Sequence, residues 1–310
     1  MTAGRGAAEA FAPAKVNLFL HVGPARADGF HPIASLMAFA DVGDRLELIT
    51  FGPGHGTPSP LQGEGGGQQL SLEVVGPFAA GVPTGEDNLV LRAARALYAR
   101  AGEPAPALRL ILSKEIPAEA GLGGGSSDAA AALRLLNGLL DRPLTEDVLV
   151  EIAAGLGSDV PACVAARSVV AEGRGERLSP APVLPTLHAV LVRPPAGAST
   201  AAVYRAFDAA GSGASADLPV PVGPLGSTEA AAAWLGACRN DLEASAVSVQ
   251  PLIGDVLALL RAQPETLLGR MSGSGSACFA ISASATDARR LAERLSAQRP
   301  AWWVKACRLG

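Results

Sequence analysis

The chain has 310 residues, of which 49% are hydrophobic and 17% are charged. This composition excludes a globally disordered chain and provides enough apolar material for one large domain or two medium ones. The 25 Lys and Arg against 29 Asp and Glu give a formal net charge of −4, without a long single-sign run. The charge balance therefore argues against a nucleic-acid or membrane surface and favours a small-molecule partner.

The cysteine pattern and the apolar segments bear on the compartment of the protein. The four cysteines form no C-x-x-C pair, so we expect reduced, buried thiols. The amino-terminal residues lack the apolar stretch of a secretion signal, and nowhere do eighteen uncharged apolar residues follow one another. The sequence predicts a cytoplasmic protein with no membrane span.

The amino-terminal half predicts strands and helices in alternation. Apolar residues at every second position over 14–22 predict a first strand, whose other face carries Lys15 and Asn17. The next predicted elements are a strand over 45–51, a flexible Gly- and Pro-rich insertion over 52–69, a strand over 70–75, a helix over 87–101 and a strand over 108–112. The last strand leads into the segment P-A-E-A-G-L-G-G-G-S-S-D.

The rest of the chain continues the alternation, so the sequence predicts an α+β or α/β protein of two domains with a boundary near residue 180. The predicted elements are helices over 127–140 and 145–156, a hairpin over 168–178, a strand over 187–193, a loop over 211–227, a helix over 242–263, a Gly/Ser loop over 271–276, a strand over 277–281, a helix over 286–296 and a strand over 302–308.

The Gly-rich segment lies between a predicted strand and a predicted helix. Glycines allow a positive φ and let backbone N–H groups approach an anion, and a helix N-terminus adds favourable dipoles. Isolated Gly-rich segments are also found as linkers or plain N-cap turns. The segment lacks the G-K-[ST] of a Walker loop and the third glycine of a dinucleotide fingerprint, and the chain has no H-R-D or D-F-G. The residue types favour a phosphate site of another kind.

Three further segments carry candidate functional residues. Lys15 and Asn17 share a strand face, which could be an ordinary solvated face or a functional pair. In R-A-D-G-F-H-P, Phe30 could stack on a planar base and His31 could hydrogen-bond to it. In G-L-G-S-D-V-P, Asp159 could cap a helix or accept a proton from a hydroxyl nucleophile. The loop M-S-G-S-G-S-A could form a second wall of a phosphate site.

In chain order, A-K-V-N-L-F-L, R-A-D-G-F-H, P-A-E-A-G-L-G-G-G-S-S-D-A-A, G-S-D-V-P and M-S-G-S-G-S resemble the GHMP kinase superfamily, which includes galactokinase, homoserine kinase and mevalonate kinase. These motifs cover nearly the whole chain, and their joint order is specific although each alone is not. One branch of the superfamily acts on a cytidine diphosphate-linked methylerythritol in isoprenoid precursor biosynthesis. Its motifs resemble the combination of K-x-N with A-D-G-F-H in this sequence.

The resemblance implies the following site residues. Lys15 and Asp159 fall on the catalytic pair, and Asn17, Phe30, His31, Gly273 and Ser274 fall on substrate-contacting or phosphate-proximal positions, with Phe30 replacing a common tyrosine. The segment that falls on the ATP-phosphate loop consists of Pro117, Ala118, Glu119, Ala120, Gly121, Leu122, Gly123, Gly124, Gly125, Ser126 and Ser127. ATP and Mg²⁺ are the implied cofactors, and Ser127 is the candidate metal ligand.

The resemblance also implies the fold and the reaction. The fold is an α+β, two-domain GHMP-kinase fold with an ATP-binding domain over 1–180, a ferredoxin-like domain over 181–310 and the active site between them. The implied reaction is ATP-dependent phosphorylation of the substrate's 2-hydroxyl by a monomer or weak homodimer. Two alternatives remain, namely another small-molecule kinase of the mevalonate or homoserine type, and a nucleotide-binding module without transferase activity.

Overall fold

The computed structural model describes residues 8–49, 70–211, 213 and 215–310. The predicted insertion at 52–69 lies outside these residues. The strands are β1 (Ala8–Val22), β2 (Ile33–Ile49), β3 (Leu70–Val75), β4 (Leu108–Ser113), β5 (Val169–Gly173), β6 (Arg177–Pro180), β7 (Leu187–Arg193), β8 (Leu268–Met271), β9 (Cys278–Ser282) and β10 (Trp303–Leu309). The helices are α1 (Leu89–Ala101), α2 (Gly124–Asn137), α3 (Glu146–Ala154), α4 (Val160–Ala165), α5 (Thr200–Ala209), α6 (Thr228–Gly236), α7 (Glu243–Val249), α8 (Leu252–Arg261) and α9 (Ala285–Gln298). The predicted mixture of α and β structure is confirmed.

The described residues form two compact units. Unit 1 consists of the described residues that lie within Met1–Ala12, Gly43–Glu115 and Gly125–Val164. In it, β3 pairs in parallel with β4, and β4 pairs antiparallel with the second half of β2. Helix α1 has Asn88 at its N-cap, where the side chain accepts a hydrogen bond from the Val90 N–H, and Gly102 at its C-cap with a φ of +72°. These signals explain why the sequence predicts this helix to within two residues.

Unit 1 also contains a buried charge cluster formed by Lys114, Asp44 and Asp128. The Lys114 Nζ donates to Asp128 Oδ2 at 2.7 Å and to Asp44 Oδ2, and all three side chains are buried. Asp44 Oδ1 accepts from the Glu115 N–H at 2.6 Å, whereas Asp128 Oδ1 has no hydrogen-bond partner among the described residues. The cluster therefore ties the residues that precede the Gly-rich segment to the helix that follows it.

Unit 2 takes its residues from Pro13–Val42, Ile116–Gly124 and Ala165–Gly310. Four antiparallel strands stand in the order β10-β7-β9-β8. Along the chain they follow the sequence strand, helices, strand, strand, helix, strand, which is the ferredoxin-like arrangement. In the same unit, β5 pairs with the first half of β2 and with β6. The predicted domain boundary near residue 180 stays a prediction.

Strand β1 is buried on both faces from Ala12 to Val22, although the sequence alternates apolar and polar residues. The polar face carries Lys15, Asn17 and His21, each less than 5% exposed. The interpretation of this side of the strand as an ordinary solvated face is therefore wrong. Buried polar groups need hydrogen-bond partners, and each of these three side chains has them.

His21 is held as a neutral ring by its two neighbours. Its Nδ1–H donates to the Asp217 carbonyl at 2.7 Å, and its Nε2 accepts from the Arg239 N–H at 3.2 Å. Burial lowers the pKa of His21 below its usual 6.5, and the nearby Arg239 and Arg270 lower it further. A proton on Nε2 would face an N–H donor, so the folded chain resists protonation of this ring.

We predict that His21 makes the protein less stable as the pH falls below about 6.5. The unfolded chain binds the proton more readily than the folded chain, so the stability contribution is complete above the unfolded pKa and is lost towards lower pH. Urea unfolding at pH 7.5 and pH 5.5 measures this loss. The His21→Gln variant should show a smaller difference between the two pH values, and an unchanged difference would contradict the assignment.

Two helical regions differ from the prediction. The helix predicted over 242–263 is wrong as one element, because the structure has α7 and α8 with a break at Gln250 and Pro251. Proline removes a backbone donor and disfavours a helical conformation in the residue before it. Helices α5 and α6 were not predicted, although Ser199 and Ser227 stand at their N-caps. Among the described residues, no helix has the length and apolar character needed to cross a membrane.

Candidate active site

Lys15 is the buried cation of a hydrogen-bonded chain in unit 2. Its Nζ donates to Asn17 Oδ1 at 2.7 Å, because residues two apart on β1 point to the same side. Asn17 Nδ2 donates to Ser35 Oγ at 2.7 Å, and Ser35 Oγ donates to the Phe19 carbonyl at 2.6 Å. Asn17 therefore positions Lys15, while its predicted contact with a substrate stays a prediction. Ser35 lies on β2, and no pattern in the sequence indicates its role.

The Gly-rich segment packs directly on Lys15. The Lys15 N–H donates to the Leu122 carbonyl at 2.8 Å. Gly123 has a φ of +64°, and a Cβ built there would lie 3.2 Å from both Cβ and Cε of Lys15. A side chain at this position would push against the lysine stem. The glycine thus has a definite role, which is to let the backbone approach the cation.

A second loop, Ser272–Ser276, locks the Gly-rich segment from the other side. The Ala277 N–H donates to the Ala120 carbonyl at 2.8 Å, and Ser272 Oγ donates to the Gly121 carbonyl at 3.1 Å. Ser272 Oγ also accepts from the Asn17 N–H at 3.1 Å. The two Gly-rich loops and the Lys15 strand, which are widely separated in sequence, are therefore in contact, and their role as two walls of a phosphate site stays a prediction.

Gly121 leaves no room for a side chain. Its φ is +72°, and a Cβ would lie 2.7 Å from the carbonyl oxygens of Ser272 and Gly275. Gly102 has the same φ of +72° but nothing within 4 Å of its Cβ position. A comparison of alanine substitutions at the two glycines therefore distinguishes the cost of backbone strain from the cost of a steric clash.

We predict that Gly121→Ala destabilises unit 2 by about 3 kcal/mol or more, whereas Gly102→Ala costs about 1 kcal/mol in unit 1. The first substitution adds a clash with two backbone carbonyls to the strain of a left-handed alanine, and the second adds strain alone. Urea unfolding of the full chain, compared between the two variants, measures both losses. Equal losses in the two variants would refute the tight packing of the loops.

Asn240 and Thr200 stabilise the second loop, and sequence reasoning missed both. Asn240 Nδ2 donates to the carbonyls of Met271 and Gly273, each at 2.9 Å. Thr200 Oγ1 lies 2.8 Å from the Ser274 Oγ. Both residues lie outside the Gly-rich motifs, and Thr200 starts the helix that was not predicted. The N-cap residue Ser199 is the sequence signal that could have predicted the helix on which Thr200 lies.

Phe30 and His31 lie in unit 2 and differ in exposure. Phe30 is 51% exposed, and the Arg174 guanidinium carbon lies 3.9 Å from its ring centroid. The His31 side chain is 7% exposed, with Nδ1 2.9 Å from the Gly23 carbonyl and Nε2 3.1 Å from Asp208 Oδ1. The Tyr204 ring lies 5.1 Å from the His31 ring. Base recognition by Phe30 and His31 stays a prediction.

Asp159, Ser126 and Ser127 belong to unit 1. Asp159 is half-buried and immediately precedes α4, where its carbonyl accepts from the Cys163 N–H at 3.3 Å. Ser127 is fully buried within the first turns of α2. Helix α2 begins at Gly124, so the predicted order of strand, Gly-rich segment and helix is confirmed. The pairing of Asp159 with Lys15 and the metal-binding role of Ser127 stay predictions.

The chemistry available at this site suits an anion. A buried ammonium group and the backbone of glycines with positive φ lie together in unit 2. Among the described residues, no group of three or more His, Cys, Asp or Glu side chains could hold a metal ion.

Comparisons with known proteins give the family. Residues 88–167 match the GHMP kinases N terminal domain, and residues 225–301 match the GHMP kinases C terminal family. A 4-diphosphocytidyl-2-C-methyl-D-erythritol kinase from Caulobacter vibrioides (strain NA1000 / CB15N) is 55% identical, covering 97% of this chain and 98% of that protein. A crystal structure of a 4-(cytidine 5'-diphospho)-2C-methyl-D-erythritol kinase aligns with a TM-score of 0.76 and 35% identity, covering 97% of this chain and 99% of its own.

A more distant structure shares the fold alone. The homoserine kinase from Cytophaga hutchinsonii aligns with a TM-score of 0.66 at 17% identity, covering 99% of this chain and 96% of its own. The resemblance deduced from the motifs is therefore confirmed at the level of sequence family and fold. The chain belongs to the GHMP kinases, and within them to the family of 4-diphosphocytidyl-2-C-methyl-D-erythritol kinases.

Proposed function

We propose that this kinase transfers the γ-phosphoryl group of ATP to the 2-hydroxyl of 4-diphosphocytidyl-2-C-methyl-D-erythritol. The products are the 2-phosphate and ADP, and the reaction belongs to non-mevalonate isoprenoid precursor biosynthesis. The observation that carries the proposal is the buried Lys15 and Asn17 pair packed against the Gly-rich segment. The full-length similarity to kinases of that name supports the choice of substrate.

Lys15 and Asp159 have separate roles in this proposal. Lys15, oriented by Asn17, polarises the acceptor hydroxyl and balances the negative charge of the incoming phosphoryl group. Asp159 accepts the hydroxyl proton as the nucleophile attacks. Phosphoryl transfer has a loose transition state, so positioning contributes more than proton removal. The bond to the leaving oxygen of ADP breaks as the new P–O bond forms at the 2-oxygen.

The residues present fit ATP phosphates with Mg²⁺. Backbone N–H groups of the segment 117–127, from Ala118 onwards, would hold the phosphates, since Gly121 and Gly123 have positive φ values that bring the backbone close to a ligand. The Ser127 hydroxyl is the candidate protein ligand for the ion. When bound, Mg²⁺ neutralises charge on the transferring phosphoryl group. In this proposal, residues 1–180 form the ATP-binding domain and residues 181–310 form the ferredoxin-like domain.

The remaining residues of the proposed site serve the acceptor. Phe30 stacks on the cytosine, and the segment of His31 recognises the edge of the base. Gly273 and Ser274 lie on a loop that Asn240 and Thr200 hold in place, which supports a role near the phosphates. The four cysteines are buried thiols that form no disulfide with one another, which supports a reducing, cytoplasmic location.

One assay separates this proposal from its two alternatives. Purified protein is incubated with ATP and Mg²⁺ and, separately, with the cytidyl substrate, mevalonate or homoserine, and ADP release is measured. We expect release above background only with the cytidyl substrate. Release with mevalonate or homoserine alone would favour another small-molecule kinase. ATP binding without ADP release in any mixture would favour the nucleotide-binding module.

A further inference from the structure

Phe30 is an exposed aromatic ring on a rigid turn. The Arg26 N–H donates to the Phe30 carbonyl at 2.8 Å, and the Gly29 N–H donates to the Arg26 carbonyl at 2.9 Å. The Phe30 N–H donates to Asp28 Oδ1 at 3.1 Å. These bonds fix the backbone of Phe30, but they do not fix its side chain. An exposed side chain on a fixed backbone still exchanges between rotamers.

Arg174 supplies the missing restraint. It stands at the tip of the β5–β6 hairpin between Gly173 and Gly175, and the Gly175 N–H closes that turn on the Glu172 carbonyl at 3.0 Å. The Arg174 guanidinium carbon lies 3.9 Å from the Phe30 ring centroid, which is a stacked distance. The guanidinium also donates to Asp28 Oδ2 at 2.7 Å.

Asp28 connects the two partners. One of its carboxylate oxygens accepts from the Phe30 backbone and the other accepts from Arg174. The Phe30 N–H and the Arg174 guanidinium lower the pKa of the Asp28 carboxyl below its usual range, as expected for a carboxylate that accepts hydrogen bonds from both. The ring, the cation and the carboxylate thus form a closed three-residue unit, which we call the Phe30 clamp.

The clamp leaves one face of the ring open. The guanidinium covers one face, yet 51% of Phe30 is still exposed. Most of that area must belong to the opposite face and the edge. A planar ligand can therefore stack on the open face of the ring while Arg174 stays in place. Because the ring is already oriented, binding does not include the free-energy cost of ordering the Phe30 side chain.

We propose that Arg174, together with Asp28, is a positioning residue that holds Phe30 as a preformed platform for the cytosine of the acceptor. This inference rests on the proposed function, in which Phe30 stacks on that base. Arg174 acts through Phe30 and not on the reacting phosphoryl group. Its loss should therefore weaken binding of the cytidyl group and leave the chemical step unchanged.

The first test is a KM-against-kcat comparison with a matched control. Arg174→Ala should raise KM for the cytidyl substrate about fivefold, the size expected for an exposed cation–π contact, with kcat and the KM for ATP within about twofold of wild type. Arg177→Ala is the control, because Arg177 lies on the same hairpin, is exposed and pairs with Glu172 at 3.9 Å instead. The control should match wild type. Equal values for the two variants, or a lower KM for Arg174→Ala, would overturn the proposal.

The second test asks whether Arg174 acts through Phe30. In the Phe30→Ala background, Arg174→Ala should have no further effect on KM, because the ring that it holds is gone. Arg174→Lys keeps the charge but not the planar stack, so it should fall between wild type and Arg174→Ala. Fully additive effects of Arg174→Ala and Phe30→Ala would refute the positioning role.

Binding of CDP, measured by calorimetry, separates this inference from the proposed function. Wild-type protein should bind CDP, and Arg174→Ala should bind it about fivefold more weakly. If ADP is not released with the cytidyl substrate but the CDP difference is found, the proposed function fails and the clamp stands. If wild-type protein does not bind CDP, or if both proteins bind it equally, the clamp is refuted.

Discussion

Replacing Asp159 with asparagine should lower kcat about a hundredfold, with the KM for ATP within about twofold of wild type. The amide has nearly the size of the carboxylate, but it cannot accept the proton of the acceptor hydroxyl. Asp159 is half-buried and its backbone is fixed by the Cys163 N–H, so the substitution should not disturb the start of α4. Single-turnover measurements of phosphoryl transfer report the chemical step directly.

The matched control for this substitution is Asp147→Asn. Asp147 lies in the same unit, in the first turn of α3, and has no proposed part in the reaction. It should keep wild-type kcat, with a change in stability below about 1 kcal/mol from the lost helix-dipole interaction. A kcat for Asp159→Asn equal to that of the control, with ATP still bound, would remove Asp159 from the role of base.

The site was predictable where local sequence signals determine the geometry. A strand, a Gly-rich segment and a helix follow one another in the chain, and Lys15 and Asn17 lie two apart on a strand. These features depend on short-range periodicity and on the special backbone of glycine. In the structure the Gly-rich segment contacts the second loop within unit 2, with a separation of 151 positions between Gly121 and Ser272, and their role in phosphate binding stays a prediction.

The parts that escaped prediction depend on contacts far apart in sequence. The polar face of β1 looks like a solvated one, because the strand pattern does not show that the Asn17 side chain is paired with Ser35 on β2. Asn240 holds the second loop from outside every motif. No pattern in a single sequence predicts such hydrogen-bond partners, because serine and asparagine occur in many other structural contexts. Pro251, the N-cap of α8, is a local signal that could have predicted the break between α7 and α8.

The Lys114 cluster belongs to the same class of long-range feature, and it leads to the largest expected stability effect. Lys114→Met should destabilise unit 1 by about 3–5 kcal/mol, because it leaves the Asp44 and Asp128 carboxylates buried without their shared cation. Burial lowers the pKa of Lys114, but the two carboxylates outweigh it and raise the pKa overall. The ammonium group is therefore charged throughout the neutral range. Urea unfolding of unit 1 measures the loss.

Asp128→Asn is the informative comparison for Lys114→Met. Burial, with a contribution from Asp44, raises the pKa of Asp128 from 3.8 to about 7 against the opposing effect of Lys114. A raised folded-state pKa means that the contribution of Asp128 to stability is complete below 3.8 and is lost as the pH rises through about 7. Asparagine resembles the protonated acid, so Asp128→Asn should lower the free energy of unfolding by less than about 2 kcal/mol. The difference in stability between this variant and wild type should shift in favour of the variant as the pH rises.

The two variants together test whether one cation serves two buried carboxylates. With Lys114 removed, rising pH ionises the buried Asp128 carboxyl without the neighbouring ammonium group, so the loss in Lys114→Met should grow between pH 6 and pH 8. With Asp128 neutralised, one ammonium group faces one carboxylate and the excess negative charge is gone. A loss in Asp128→Asn as large as that in Lys114→Met, or a loss in Lys114→Met that shrinks as the pH rises, would contradict this account of the cluster.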